Sequence, residues 1–247
     1  MSVGCYTVPV SNARRTEREV KAALRASNLS GTFVVGKYRL SPYMACEHAC
    51  SYCDGRAERY YVEGDFGRDI VVRTNIPDLL AQALPKLRER GFVTVGSGIT
   101  DAYQPLEETE LLTRRCAELL AESRFPVTVM TKSSLVLRDL DVWQRVNDHS
   151  RFMLVMSLVH TSDRTRRIFE PGAAPVEKRI ETLRAFKEAG CAVGILAMPL
   201  LPGITDDEAS VAALFDIAAD IGVDFIQPGG LTLRPGRQKD HYLDVLS

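Results

Sequence analysis

Six apolar, β-rich runs punctuate the chain, and the segments between them limit what it can fold into. The runs read GTFVVGKYRL, FVTVG, PVTVMT, RFMLVMSLV, CAVGILAMP and VDFIQPG. From the second onward, each is separated from the next by an amphipathic segment, a repeated strand–helix rhythm. Strands so continuous in Val, Ile, Leu and Met are buried on both faces, and helices that join them make the sheet parallel. A closed eight-unit barrel needs about 250 residues, roughly 30 per unit, whereas six units need about 190. In a chain of 247 residues six units fit and eight do not. The expected fold is therefore α/β, a partial (β/α)6 barrel of parallel strands forming one domain over residues 31–247. Its site should lie at the carboxyl ends of the strands. Residues 1–30 are expected to be an N-terminal helical extension, in which NARRTEREVKAALRASN reads as a basic, mostly solvated helix.

The helical segments carry their own signals. Leu112, Cys116, Leu119 and Leu120 share one face. Thr205 and Glu208 have capping-box spacing, ahead of Val211, Leu214, Phe215 and Ala218 as the buried stripe. Asn75 is placed to cap an earlier helix carrying Leu80, Leu84 and Leu87, which Pro85 should kink and Gly91 should end.

Composition removes several function classes. A formal net charge of −1 gives no broad basic face for nucleic acid. No apolar run approaches the ~18 residues of a membrane span, and the N-terminus lacks a signal-peptide core, so a cytoplasmic chain is expected. Three of the six cysteines, Cys46, Cys50 and Cys53, fall in CEHACSYC. In a reducing compartment that argues for metal or redox chemistry over disulfides. Three thiolates spaced C-x3-C-x2-C can hold three irons of a 4Fe-4S cube and leave the fourth iron open. With His48 between them they could also form a Cys3His zinc site, or a structural cluster in a non-enzymatic protein. Cys116 and Cys191 read as buried structural thiols.

The cysteine spacing with Tyr52 before the last thiol, following the first strand of a six-unit βα chain, resembles the radical S-adenosylmethionine (radical SAM) enzymes. SPYMACEHACSYC, GSGITDAYQPLE, MTKSSLVLRDL and FEPGAAPVEKR are similar to the spore photoproduct lyase-related branch of that superfamily. The resemblance implies a 4Fe-4S cluster on Cys46, Cys50 and Cys53. It also implies that S-adenosylmethionine is cleaved reductively to a 5′-deoxyadenosyl radical, with a flavodoxin or ferredoxin as electron donor.

It further implies a cofactor cradle. Tyr52 would pack beside the cluster, while Gly98, Thr100 and Asp101 would meet the amino acid end of S-adenosylmethionine, Thr100 standing where related lyases have a serine. Lys132 would neutralise the cofactor carboxylate, Ser157 would bond carboxylate or ribose, and Met198 and Pro199 would lie near the adenine. Separately from the cradle, Tyr103, Gln104, Glu107, His160 and Arg179 are polar candidates to contact substrate or to support the residues that do. The photoproduct lyases return a hydrogen atom from a cysteine after the second strand, helped by a tyrosine after the third cluster cysteine. Here Gly98 and Asp54 stand in those places, so the expected substrate is a small molecule, with DNA photoproduct repair as the alternative.

Overall fold

The computed structural model describes residues 11–27, 36–60 and 63–247. Its first strands are β1 (Arg14–Glu17), β2 (Leu24–Ala26), β3 (Tyr38–Leu40), β4 (Tyr43–Met44) and β5 (Asp69–Val72). They are followed by β6 (Val93–Val95), β7 (Val127–Thr131), β8 (Phe152–Ser157), β9 (Ala192–Leu200) and β10 (Phe225–Gly230). The helices are α1 (Ile76–Ala83), α2 (Glu107–Glu110), α3 (Leu112–Glu122) and α4 (Leu140–His149), then α5 (Asp163–Phe169), α6 (Val176–Glu188), α7 (Glu208–Ile221) and α8 (Arg237–Leu246).

The six expected strand runs make one sheet in the order β10-β9-β8-β7-β6-β3, all parallel, with β2 added antiparallel at the β3 edge. This is the α/β partial-barrel architecture, each parallel strand returning through helical segments. Residues 31–35 of the first run lie outside the described residues. A second, three-stranded sheet, β1-β5-β4, flanks the first. β7 and β8 are almost wholly buried, as strands covered on both faces must be. Trp143 of α4 stacks on Phe152 of β8 with centroids 5.0 Å apart, and Phe152 stacks on Phe186 of α6 at 5.6 Å.

Several local expectations are corrected. NARRTEREVKAALRASN is not a helix: residues 14–17 and 24–26 are strands, while residues 1–10 and 28–30 lie outside the described residues. The segment lacks an apolar stripe, so a helix would have had little to bury. Instead its backbone completes the edge of β5, with Arg14 N–H donating to Arg68 O at 2.7 Å and Arg18 N–H to Val72 O at 2.8 Å. Asn75 precedes α1, but its amide does not cap the helix. It exchanges two bonds with the Val20 backbone, at 3.0 and 2.9 Å. The cap of α7 is Asp207, which accepts from Ser210 N–H at 3.0 Å, while Thr205 accepts from Leu201 N–H. Phe215, expected in the core, is 46% exposed. The helix expected to carry Leu87 and run to Gly91 stops sooner: α1 ends at Ala83 and passes into a 3-10 turn at Leu84–Lys86, so Pro85 ends the regular helix instead of kinking it, and Leu87 and Gly91 lie beyond it.

Candidate functional site

A cleft of about 270 Å³ opens at the carboxyl ends of the parallel strands. The loop after β3 brings Cys46, Cys50, Tyr52 and Cys53 to it, and the turn after β6 brings Gly98, Thr100 and Asp101. Lys132 follows β7, Ser157 ends β8, and Met198 and Pro199 come from the end of β9. All the proposed cluster and cofactor residues thus line one cavity, together with Asp54, His48 and the Gly230–Thr232 stretch after β10.

The cysteine loop is wound tightly and held from several sides. Ala45 and Ala49 adopt left-handed backbone (φ 61° and 52°), each costing about 1–2 kcal/mol relative to the usual region. The Arg56 guanidinium offsets this by donating to Cys50 O at 2.9 Å and Ala49 O at 2.8 Å, while lying over the Phe66 ring. From the other side, Ser51 N–H donates to Phe169 O at 2.8 Å and Gly172 N–H donates to His48 O at 3.1 Å. A Cβ on Gly172 would lie 2.0 Å from Glu47 O, so the close approach requires glycine. Burial raises all three thiol pKa values. Cys46 is pushed well above its ordinary value, with Asp101 adding to the effect, and Cys50 is pushed to about 12. The Gly55 N–H donated to Cys53 Sγ, at 3.4 Å, works against burial there.

The turn after β6 is fixed by Gly96, whose φ of 89° and proximity to Met130 O exclude a side chain. Beyond it the Thr100 hydroxyl donates to Ala45 O at 2.6 Å. The Asp101 carboxylate is filled by protein donors: Tyr103 N–H, Lys132 N–H and the Thr131 hydroxyl, all at 2.8 Å, with His48 Nδ1 at 3.3 Å. Asp101 therefore orients the Lys132 backbone and His48. Despite burial, its partners keep its carboxyl below the ordinary range, His48 being the largest contributor. At Gly98, a Cβ would meet nothing within 4 Å.

Beneath the cleft lies a buried ionic knot that sequence reasoning missed in part. Glu170, fully buried, pairs with Arg179 Nη2 at 2.7 Å and His160 Nε2 at 3.3 Å, stands 3.9 Å from Lys132 Nζ, and accepts the Tyr52 hydroxyl. Burial opposes its charge, but Arg179, His160 and Lys132 together hold its pKa well below the usual carboxylate range. Burial also opposes the Lys132 charge, and Cys50 and Glu170 outweigh it, so the lysine pKa is raised. Arg179 additionally donates to Ser157 O at 3.1 Å and Ala174 O at 2.8 Å, fixing the end of β8. His160 and Arg179 thus support the site from below. Tyr103, Gln104 and Glu107 do not line the cleft. Tyr103 donates to Asp139 and accepts from Trp143, Gln104 accepts Glu47 N–H, and Glu107 pairs with Arg138.

Among the described residues, no three His, Cys, Asp or Glu side chains converge on a point as a mononuclear metal site would require. The donor chemistry does fit an iron–sulfur cluster with an open iron: soft thiols on one short loop, at the wall of a cleft that also holds the half-buried Lys132 ammonium.

The sequence profile of the radical SAM superfamily matches residues 40–215. The chain belongs to the radical SAM superfamily. Spore photoproduct lyase is among the proteins it resembles. An uncharacterised Methanocaldococcus jannaschii protein is 29% identical over 209 residues, 84% of this chain and 75% of that one. The Bacillus subtilis spore photoproduct lyase is 24% identical over 185 residues, 70% of this chain and 52% of the lyase. The chain therefore spans about half to three quarters of the length of these relatives. A structure of spore photoproduct lyase complexed with dinucleoside spore photoproduct has the same fold, with a TM-score of 0.68 at 18% identity over 94% of this chain and 66% of the lyase. Streptococcus suis SuiB bound to S-adenosylmethionine gives 0.56 at 15% identity, over 81% of this chain and 42% of SuiB. For this radical SAM chain no helix among the described residues is long and apolar enough to cross a membrane.

Proposed function

We propose that this chain is a cytoplasmic radical SAM enzyme that abstracts hydrogen from a small-molecule substrate. Cys46, Cys50 and Cys53 would hold the 4Fe-4S cluster, and the cleft would hold S-adenosylmethionine. When bound, the pair supplies a 5′-deoxyadenosyl radical after one electron arrives from a flavodoxin or ferredoxin. The observation that carries the reading is the convergence of the cysteine loop with Gly98, Thr100, Lys132, Ser157 and Met198 on one cavity.

The chain's own residues have separable tasks. The Lys132 ammonium balances a carboxylate placed beside it, and the Ser157 hydroxyl offers a donor at the end of β8. Asp101 holds the Lys132 backbone in place through its N–H. Met198, Pro199 and Leu196 supply an apolar wall that excludes water from one side of the cleft. Tyr52, tethered by Glu170, presents its ring to the cleft without a free hydroxyl.

Photoproduct reversal is disfavoured by what stands beside this cleft. Gly98 has no side chain to donate a hydrogen atom. Asp54 has no weak bond to give one, and its carboxylate is engaged by Gln238 at 3.1 Å and Arg234 at 3.5 Å. Cys116 and Cys191 belong to the core of the helix–sheet layers, not to the cleft wall. The test is anaerobic reconstitution followed by dithionite and S-adenosylmethionine. Formation of 5′-deoxyadenosine is expected, with deuterium entering it from a labelled substrate. Stoichiometric zinc without iron, or no cofactor cleavage, would overturn the reading.

A further inference from the structure

One stretch of surface concentrates charge of a single sign without compensation. Arg25 of β2 and Arg39 of β3 are direct cross-strand partners, both exposed. Like charges placed opposite one another on antiparallel strands oppose the pairing. Arg73, half-buried just beyond β5, lies close enough to Arg25 and Arg18 that their repulsion adds to burial in lowering its pKa. Its Nη1 donates to Ser41 O at 2.8 Å, and its Nε has no partner among the described residues. Arg18 extends the strip to β4, with Nη1 3.6 Å from Met44 Sδ.

None of these four arginines forms an ion pair among the described residues. Neighbouring Arg14 and Arg15, by contrast, are matched by Asp69, Glu17 and Glu110. Residues 1–10, 28–35 and 61–62, outside the described set, contain no Asp or Glu, so no carboxylate there can neutralise the strip. Apart from the Arg73 bond to Ser41, the strip has no ion pair with which to contribute to folding, although a chain of net charge −1 had 32 acidic residues available to balance it.

The strip's position points to a use. It ends at Met44, two residues and at most about 7 Å of chain before Cys46. It occupies the β2–β3 edge of the main sheet, whereas the Gly230–Thr232 wall of the cleft follows β10 at the opposite edge of the strand order. A partner seated here would approach the cysteine loop from outside and leave the cleft open to substrate.

We propose that Arg18, Arg25, Arg39 and Arg73 form the docking surface for the electron donor, an acidic protein carrying a flavin or an iron–sulfur centre. The proposal rests on the radical SAM reading above. The reduced carrier is oxidised by one electron and the cluster on Cys46, Cys50 and Cys53 is reduced by one, with no bond made or broken at the interface. Opposed potentials of this kind raise the encounter rate and make it sensitive to salt. A nucleic acid is the competing occupant of a basic strip, and the experiment separates the two.

The experiment measures binding of purified flavodoxin to the reconstituted protein at low and high salt. It compares the wild type with the R18E/R25E/R39E variant and a milder R18Q/R25Q/R39Q variant, whose changes lie at exposed positions. The expected result is a loss of affinity of about tenfold or more at low salt, a flattened salt dependence, and slower flavodoxin-driven turnover. Dithionite-driven 5′-deoxyadenosine formation should be unchanged. Undiminished flavodoxin affinity in both variants would overturn the docking proposal alone, as would strip-dependent binding of a short DNA duplex with no flavodoxin binding. Failure of the wild type to cleave S-adenosylmethionine with dithionite would overturn the enzyme reading, and the docking proposal with it.

Discussion

The Lys132 ammonium lies over the Tyr52 ring, 5.7 Å from its centroid. The pair joins the loop that carries the thiols to the strand end that faces the cleft, so the lysine is steered by a π-face as well as by Glu170. Lys132→Ala should leave iron and sulfide content intact. Loss of a charge-assisted contact of about 1.5–3 kcal/mol should weaken S-adenosylmethionine binding by roughly 10–150-fold. Equilibrium binding under anaerobic conditions checks this, and unchanged affinity would rule out the assigned role.

Replacing Cys46, Cys50 or Cys53 with Ala should abolish cluster loading. Cys116→Ala should not, because that thiol packs inside the helical layer. Iron and sulfide analysis after reconstitution, with the charge-transfer absorbance of the cluster, distinguishes the two groups.

Glu170 makes stability depend on pH. Its folded pKa is depressed, so its contribution is complete above the unfolded carboxylate value of about 4.3 and is lost as pH falls through the lower folded value. Glu170→Gln leaves Arg179 and Lys132 less well compensated in a buried setting, a loss of about 3–5 kcal/mol at neutral pH. Urea denaturation should show the gap between wild type and variant narrowing as pH drops below 4. A gap independent of pH would contradict the ionised knot.

Two glycines should respond oppositely to a single methyl. At Gly172 the new Cβ collides with Glu47 O and His48 Cα, so Gly172→Ala should destabilise the cysteine loop and lower iron content. At Gly98 it meets nothing, and Gly98→Ala should shift the melting temperature little. Differential scanning calorimetry with metal analysis tests both.

Incubation of the reduced enzyme with S-adenosylmethionine and a dinucleotide spore photoproduct should give uncoupled 5′-deoxyadenosine and no catalytic repair. Multiple turnovers to thymidine dinucleotide, followed by chromatography, would refute the small-molecule assignment.

Much of the site was legible because its residues sit at fixed points of a repeating unit. A strand recognised by its apolar run locates its own carboxyl end, and so locates Lys132 after β7 and Ser157 in β8. What stayed hidden depends on partners distant in sequence. The four residues of β1 are all exposed and show no apolar period, so only pairing with β5 reveals them as a strand. Glu170 sits in a recognisable FEPG stretch, yet nothing local says that Arg179, His160, Lys132 and Tyr52 will meet it. Asp207 outcompeted Thr205 as the cap of α7 because Thr205 was taken by the preceding turn. Phe215 shows the limit of periodicity: the stripe it belongs to is wider than the face the sheet covers.

The open space at Gly98 has a consequence for divergence. Most positions around the cleft are tied into packing or hydrogen bonds, so altering them disturbs the scaffold. At Gly98 a new functional group could be added by one codon change and tested by selection with the architecture intact. The turn after β6 is therefore a place where the lining of the cleft can change while the fold stays as it is.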